Sequence, residues 1–169
     1  MNAAPSRKLE IAAYCAIIVL CGVACTALIK NFILKPSDLQ PQPPSIAGTK
    51  VSLDYDWAKN NKTLLLVLSE TCKFCDDSAP FYKRMVKQFS SGQQVQFLAV
   101  FPQPSESATK HLAALGVSIP EVRQVTPSSL GVTGTPTLIL VDKNGEVIDS
   151  WVGKLSPIDE SKVIARIGA

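Results

Sequence analysis

Cys72 and Cys75 enclose Lys73 and Phe74 in a CKFC run, directly after an apolar stretch at 63–69 (TLLLVLS). The pattern predicts a strand that turns into a helix at the first cysteine. Two thiols at that spacing interconvert between dithiol and disulfide. The helix N-terminus offers unpaired N–H groups and a partial positive charge that favour a thiolate on the leading cysteine. CxxC sites draw a thiol from about 8.5 into the range of roughly 3.5–7.5. The second cysteine, one turn on, attacks the mixed disulfide that the first has formed and releases the partner. Between them, Lys73 brings a positive charge that favours the reduced form, opposed by Asp76 and Asp77. Phe74 either meets an apolar partner surface or covers the helix.

The elements that must position these thiols follow from periodicity. The run at 63–69 is continuous and apolar, the sign of a strand buried on both faces. Residues 72–89 follow with helical spacing of Phe81, Met85, Val86 and Phe89, and Pro80 falls inside and predicts a kink. A second strand is expected at 95–101, then a helix over 105–115 with Ser105 as N-cap and Gly116 as its stop. Residues 121–125 read as a short strand and 137–141 as another. Asn144-Gly145 turns the chain into 146–152 as a hairpin. Ser156-Pro157 opens a last helix as N-cap and first helical residue. This order implies an α/β domain, a mixed sheet with helices on both faces.

With CKFC at the first strand–helix junction and Thr135-Pro136 before the hairpin, the chain from 46 to 169 resembles the thioredoxin fold, and within it the TlpA/ResA-like thiol–disulfide oxidoreductases. Four features carry the resemblance: CKFC, Pro80 in the active-site helix, Gly134-Thr135-Pro136-Thr137, and the run 138–153 with Asp142-Lys143-Asn144-Gly145 at its turn. The helix over 105–115 fits the insertion of that group. The resemblance implies a redox-active pair, Cys72 as nucleophile and Cys75 as resolving cysteine. It also implies a cis Thr135–Pro136 bond beside them, with the Thr135 backbone pairing to a bound client. Lys73 and Phe74 complete the expected client contacts. It leans towards a reductase of protein disulfides, fed by a membrane thiol carrier. Three positions depart from the family: Thr71 replaces the usual tryptophan, while Leu66 and Ser78 stand where acids shuttle the proton of the second thiol. That leaves the base for Cys75 unassigned among Glu70, Asp76 and a water, with each carboxylate expected to be solvated.

The first 45 residues set the context. Residues 11–29 hold nineteen residues without a charge, long enough to cross a bilayer. A tail at 1–10, a single transmembrane anchor at 11–34 and a Pro-rich spacer at 35–45 are expected before the domain at 46–169. The apolar run exceeds a signal-peptide core and lacks a clean cleavage site. Arg7 and Lys8 nearly balance Lys30 and Lys35 across the span. The persistence of disulfides outside the cytoplasm therefore argues for an N-terminus inside and a periplasmic domain on the inner membrane.

Other chemistries fit less well. The net charge is +3, but residues 46–169 hold 13 basic against 12 acidic residues, and that near-neutral balance disfavours nucleic acid. Cys15, Cys21 and Cys25 lie in the apolar segment and read as small apolar residues, so no structural disulfide framework is left for the domain. Two thiols and the single histidine, His111, fall short of a zinc set, and His111 reads as a surface or core-edge residue. No cofactor or metal is expected. A peroxiredoxin-like peroxidase is disfavoured by Leu65, where that family has proline, and a non-catalytic tethered assembly module by the intact CxxC.

Overall fold

The computed structural model describes residues 17–18, 20–22, 46–89 and 95–169. The chain divides into two units, Met1–Pro41 and Gln42–Ala169. In the first, the described residues Ile17, Ile18, Leu20, Cys21 and Gly22 are helical. The rest of the expected anchor and the whole spacer lie outside the described residues. Among the described residues, no helix is long and apolar enough to cross a membrane.

The second unit is built on five strands: β1 (Lys62–Val67), β2 (Gln96–Phe101), β3 (Glu121–Gln124), β4 (Thr137–Asp142) and β5 (Val147–Val152). The sheet order is β3-β2-β1-β4-β5. β1 runs parallel to β2, and β2 to β3, whereas β4 is antiparallel to both β1 and β5. Four α-helices accompany them, α1 (Lys73–Asp77), α2 (Ala79–Phe89), α3 (Ser105–Ala114) and α4 (Pro157–Gly168), along with two 3-10 helices at Trp57–Lys59 and Pro127–Leu130.

Strand alternation sorts the core into two layers. Leu64 and Leu66 of β1, Phe97, Ala99 and Phe101 of β2, and Leu138 and Leu140 of β4 face the helices. There they meet Phe81, Tyr82 and Met85 of α2, Ala108 and Leu112 of α3, and Val163 and Ile167 of α4. Leu65, Val67, Leu98, Val100, Ile139 and Val141 face the other way. Each such side chain contributes about 1.5–3 kcal/mol on full burial.

Helices were expected on both faces, and the structure differs: side chains of all four enter a single core layer. Strand order explains it. The crossovers from β1 to β2 and from β2 to β3 step along the sheet in the same direction. Right-handed connections then place α1, α2 and α3 on the same side. The opposite face is covered without α-helix, by Ile46, Val51, Leu53, Tyr55 and Trp57 and by Leu130 and Val132.

One local expectation is also corrected. Ser105 is not the N-cap of α3. Pro104 holds that place without a side-chain hydrogen bond, and Ser105 begins the helix. The expected hairpin turn at Asn144-Gly145 joins β4 to antiparallel β5, with a positive φ of 78° at Gly145. Its N–H donates to the Asp142 carbonyl oxygen at 3.1 Å, while the Asp142 carboxylate accepts from the N–H groups of Asn144 and Glu146. A side chain at 145 would also meet Trp57, whose Cδ1 lies 2.8 Å from the site of a Cβ. As expected, Ser156 caps α4, its Oγ accepting from the Asp159 N–H, with Pro157 in the first turn.

Candidate active site

β1 delivers the chain to the cysteines with its last residues fully buried, so the loop 68–71 emerges at a fixed point at the end of the central strand. Gln103, from the segment between β2 and α3, holds that loop. Its amide nitrogen donates to Ser69 Oγ at 3.1 Å and its oxygen accepts from the Glu70 N–H at 3.4 Å. The Cys72 N–H then donates to the Ser69 carbonyl oxygen at 3.1 Å.

Cys72 is the N-cap of α1, and its Sγ accepts from the Cys75 N–H at 3.2 Å. The orphan donor at the helix start, which Ser, Thr or Asp usually satisfies, is met here by the sulfur. The expected helix over 72–89 is split at Ser78 into α1 and α2. Pro80 has no N–H for the Asp76 carbonyl, and its ring crowds that oxygen. Ser78 occupies the break, donating from its N–H and its hydroxyl to the Phe74 carbonyl oxygen at 3.2 and 2.7 Å.

The two thiols are free and unequal. Cys72 is half-buried at the surface, while Cys75 is 2% exposed beneath it. Burial pushes the Cys75 thiol up to about 12, helped by its hydrogen bond to the Cys72 sulfur; the Ser69 backbone and the Thr135 side chain pull the other way. Thr135 touches both cysteines, since its carbonyl oxygen also accepts from the Cys72 thiol at 3.3 Å. The Thr135–Pro136 bond is cis, and the Pro136 carbonyl oxygen accepts from the Gly153 N–H at 2.7 Å, which ties the segment to the end of β5. Five of the six expected site residues, Cys72, Cys75, Lys73, Phe74 and Thr135, thus gather at one end of β1 and β4, and Pro136 adjoins them. Lys73 is exposed, and Phe74 is 59% exposed close to Cys72 in sequence.

The two carboxylates proposed for the missing acids are placed differently from expectation. Glu70 has one carboxylate oxygen buried without a hydrogen-bond partner. Asp76 is not simply solvated: its Oδ1 lies 3.0 Å from His111 Nε2. His111 projects from α3, edge-on to Phe101, with its ring 6.4 Å away. It is 24% exposed in its side chain, a core-edge position. Together with Cys75, Tyr82 and Ser69 it lines a narrow gap behind the active-site helix. Sequence reasoning gave His111 no role in the site, because nothing local links positions 76 and 111. Asp77 reaches the other flank, 3.4 Å from Lys154 Nζ. Among the described residues no cluster of three or more His, Cys, Asp or Glu side chains could hold a metal ion.

Residues 54–167 match the family described as thioredoxin-like domain. No curated protein matches the chain. Among solved structures, a putative thiol:disulfide interchange protein DsbE from Chlorobium tepidum is similar at 26% identity and a TM-score of 0.55, covering 65% of this chain and 79% of that one. A thiol-disulfide isomerase from Corynebacterium glutamicum shares 16% identity with a TM-score of 0.53, covering 77% of this chain and 97% of that one. StoA from Bacillus subtilis shares 17% identity with a TM-score of 0.51, covering 63% and 81%.

Proposed function

The chain belongs to the thioredoxin-like family, and from that premise we propose that it is a membrane-tethered, extracytoplasmic thiol–disulfide oxidoreductase that reduces protein disulfides. The observation that carries the exchange chemistry is the inequality of the two thiols. Cys72 lies at the surface with the Cys75 N–H on its sulfur, while Cys75 is held protonated and buried behind it. A client disulfide reaches only the first.

The reaction runs in two displacements. The Cys72 thiolate attacks one sulfur of the client disulfide; an S–S bond forms between Cys72 and the client, and the other client sulfur leaves as a thiolate. Cys75 then attacks Cys72 Sγ and the second client thiolate leaves. The client has gained two electrons and the protein holds a Cys72–Cys75 disulfide. A membrane thiol carrier returns that pair to the dithiol. The Thr135 backbone and exposed Phe74 border the path to Cys72 and serve as client contacts, with Lys73 at the rim.

The tether and the compartment rest on the uncharged stretch at 11–29 and on the persistence of disulfides outside the cytoplasm. The reductive direction rests on the resemblance to TlpA/ResA-like proteins. A C75S variant tests the reading as a whole, because it stalls at the mixed disulfide on Cys72. Partners captured from membranes and released by dithiothreitol should be few, extracytoplasmic and absent from C72S. Capture of many unrelated secreted proteins would indicate a general oxidant instead. Reduction of a protein disulfide that survives in C72S would remove the exchange reading altogether.

A further inference from the structure

The resolving step needs something that neither cysteine supplies. Cys75 enters it as a buried thiol, and its proton must leave as the sulfur attacks Cys72. Leu66, in β1, and Ser78, at the helix break, are not acids. Leu66 is fully buried and Ser78 is committed to the Phe74 carbonyl oxygen.

The gap behind α1 supplies the alternative. Cys75 lines it from α1, Tyr82 from α2, Ser69 from the loop after β1, and His111 from α3. Histidine is the side chain that takes and gives a proton near neutrality. With Nε2–H donated to Asp76 Oδ1 at 3.0 Å, the Nδ1 lone pair is left to accept. A carboxylate on one ring nitrogen fixes the tautomer and stabilises the imidazolium that forms, which makes Asp76 a positioning residue. Asp76 directly follows Cys75 in α1, so the helix that carries the thiol also carries the carboxylate that orients the base.

We propose that His111, oriented by Asp76, is the proton acceptor for Cys75 during resolution and returns the proton when the disulfide is reduced. The inference rests on the exchange reading above. In the step, the Cys75–Cys72 S–S bond forms, the Cys72–client S–S bond breaks, and its electron pair leaves on the client sulfur. The Cys75 proton passes to His111 and from there to solvent or to the departing thiolate. The titratable groups beside His111 are Asp76 at its Nε2, and Cys75 of α1 and Tyr82 of α2 across the gap; the charged neighbours on α2 and α3 are engaged elsewhere. Glu106 and Lys110 pair with each other at 2.8 Å, and the Lys83 ammonium lies over Gly116 beyond the end of α3. Glu70, next to Ser69, is the rival base, although it does not line the gap.

The test is the resolution rate of the full chain in a C15A/C21A/C25A background, where CKFC holds the only thiols. Loading Cys72 with thionitrobenzoate makes resolution visible as release of the yellow thiolate. Measured from pH 5 to 9, H111Q should lose the histidine-dependent limb and fall about a hundredfold at pH 7, the low end of general-base effects. It should converge on the parent at high pH, where hydroxide removes the proton. Imidazole should restore H111A, a rescue that repair of packing does not mimic, and D76N should shift the limb without abolishing it. An H111Q profile superimposable on the parent, or loss of the limb in E70Q instead, overturns the proposal. If the parent itself releases no thionitrobenzoate after loading, the exchange reading fails rather than the relay.

Discussion

The burial of Cys75 makes a quantitative prediction about its chemistry in the reduced protein. Its thiol is raised from the usual 9.0 to about 12, first by desolvation and then by the Cys72 sulfur. At a fixed pH below both values each unit is a factor of ten, so the thiolate population falls about a thousandfold. The less acidic thiolate is intrinsically a better nucleophile; a Brønsted coefficient of 0.4–0.5 returns roughly twentyfold. The net expectation is alkylation about fiftyfold slower than for the same cysteine in the denatured chain, and more once steric exclusion of a side chain only 2% exposed is added. The assay is iodoacetamide at pH 7.5 on the reduced chain, folded or in urea, quenched over time and resolved by peptide mass spectrometry. Early time points isolate Cys75 before alkylation of Cys72 alters its surroundings. Cys72 should alkylate first in the folded protein. Folded Cys75 reacting within a few-fold of its denatured rate, or ahead of Cys72, would refute both the burial and the assignment of roles.

Two further expectations concern stability. In the reduced protein the raised Cys75 value means that the native state holds its proton more tightly than the unfolded chain. That contribution is complete below the ordinary value near 9 and is lost as the pH rises towards 12. Melting temperatures should therefore fall between pH 8 and pH 10.5 more steeply for the parent than for C75A; equal slopes would contradict the shift. Replacing the α4 cap, S156A, removes the acceptor for the Asp159 N–H. This should cost about 1 kcal/mol, seen as a loss of about 4 °C in thermal melting; an unchanged midpoint would mean that α4 adds little to the fold.

Much of the fold is legible along the chain, because its signals are local. The continuous apolar runs of β1, β2 and β4, the turn at Asp142-Lys143-Asn144-Gly145 and the Ser156-Pro157 start of α4 each depend on residues near one another in sequence. The same is true of the cysteine pair and the break at Pro80. What escaped reading depends on strand order. Whether helices lie on one face or two is decided by the direction in which successive crossovers step across the sheet, and element order alone leaves that open. The Asp76–His111 pair escaped for the same reason, since only the placement of α3 beside α1 brings positions 76 and 111 together. Ser105 is a subtler case: a residue suited to capping lies one position inside the helix, because Pro104 takes the extended conformation at the boundary.

The active-site helix is itself too short to fix the geometry of two thiols. Five residues form barely more than one turn, and the break at Ser78 uncouples α1 from the eleven-residue α2. Isolated turns of that length are unstable, so the orientation of α1 has to come from outside it. Three contacts from three separate segments provide it. Cys72 meets the Thr135 carbonyl oxygen, Asp76 meets His111 of α3, and Asp77 meets Lys154 after β5. The exposed Asp77–Lys154 pair, at 3.4 Å, contributes at most about 1 kcal/mol. The half-buried Asp76–His111 pair is less screened. Neither adjacent acid is therefore merely a solvent-facing charge opposing Lys73. They engage partners on different segments and hold the turn that carries Cys75, which is how a helix of this length keeps one sulfur at the surface and the other buried.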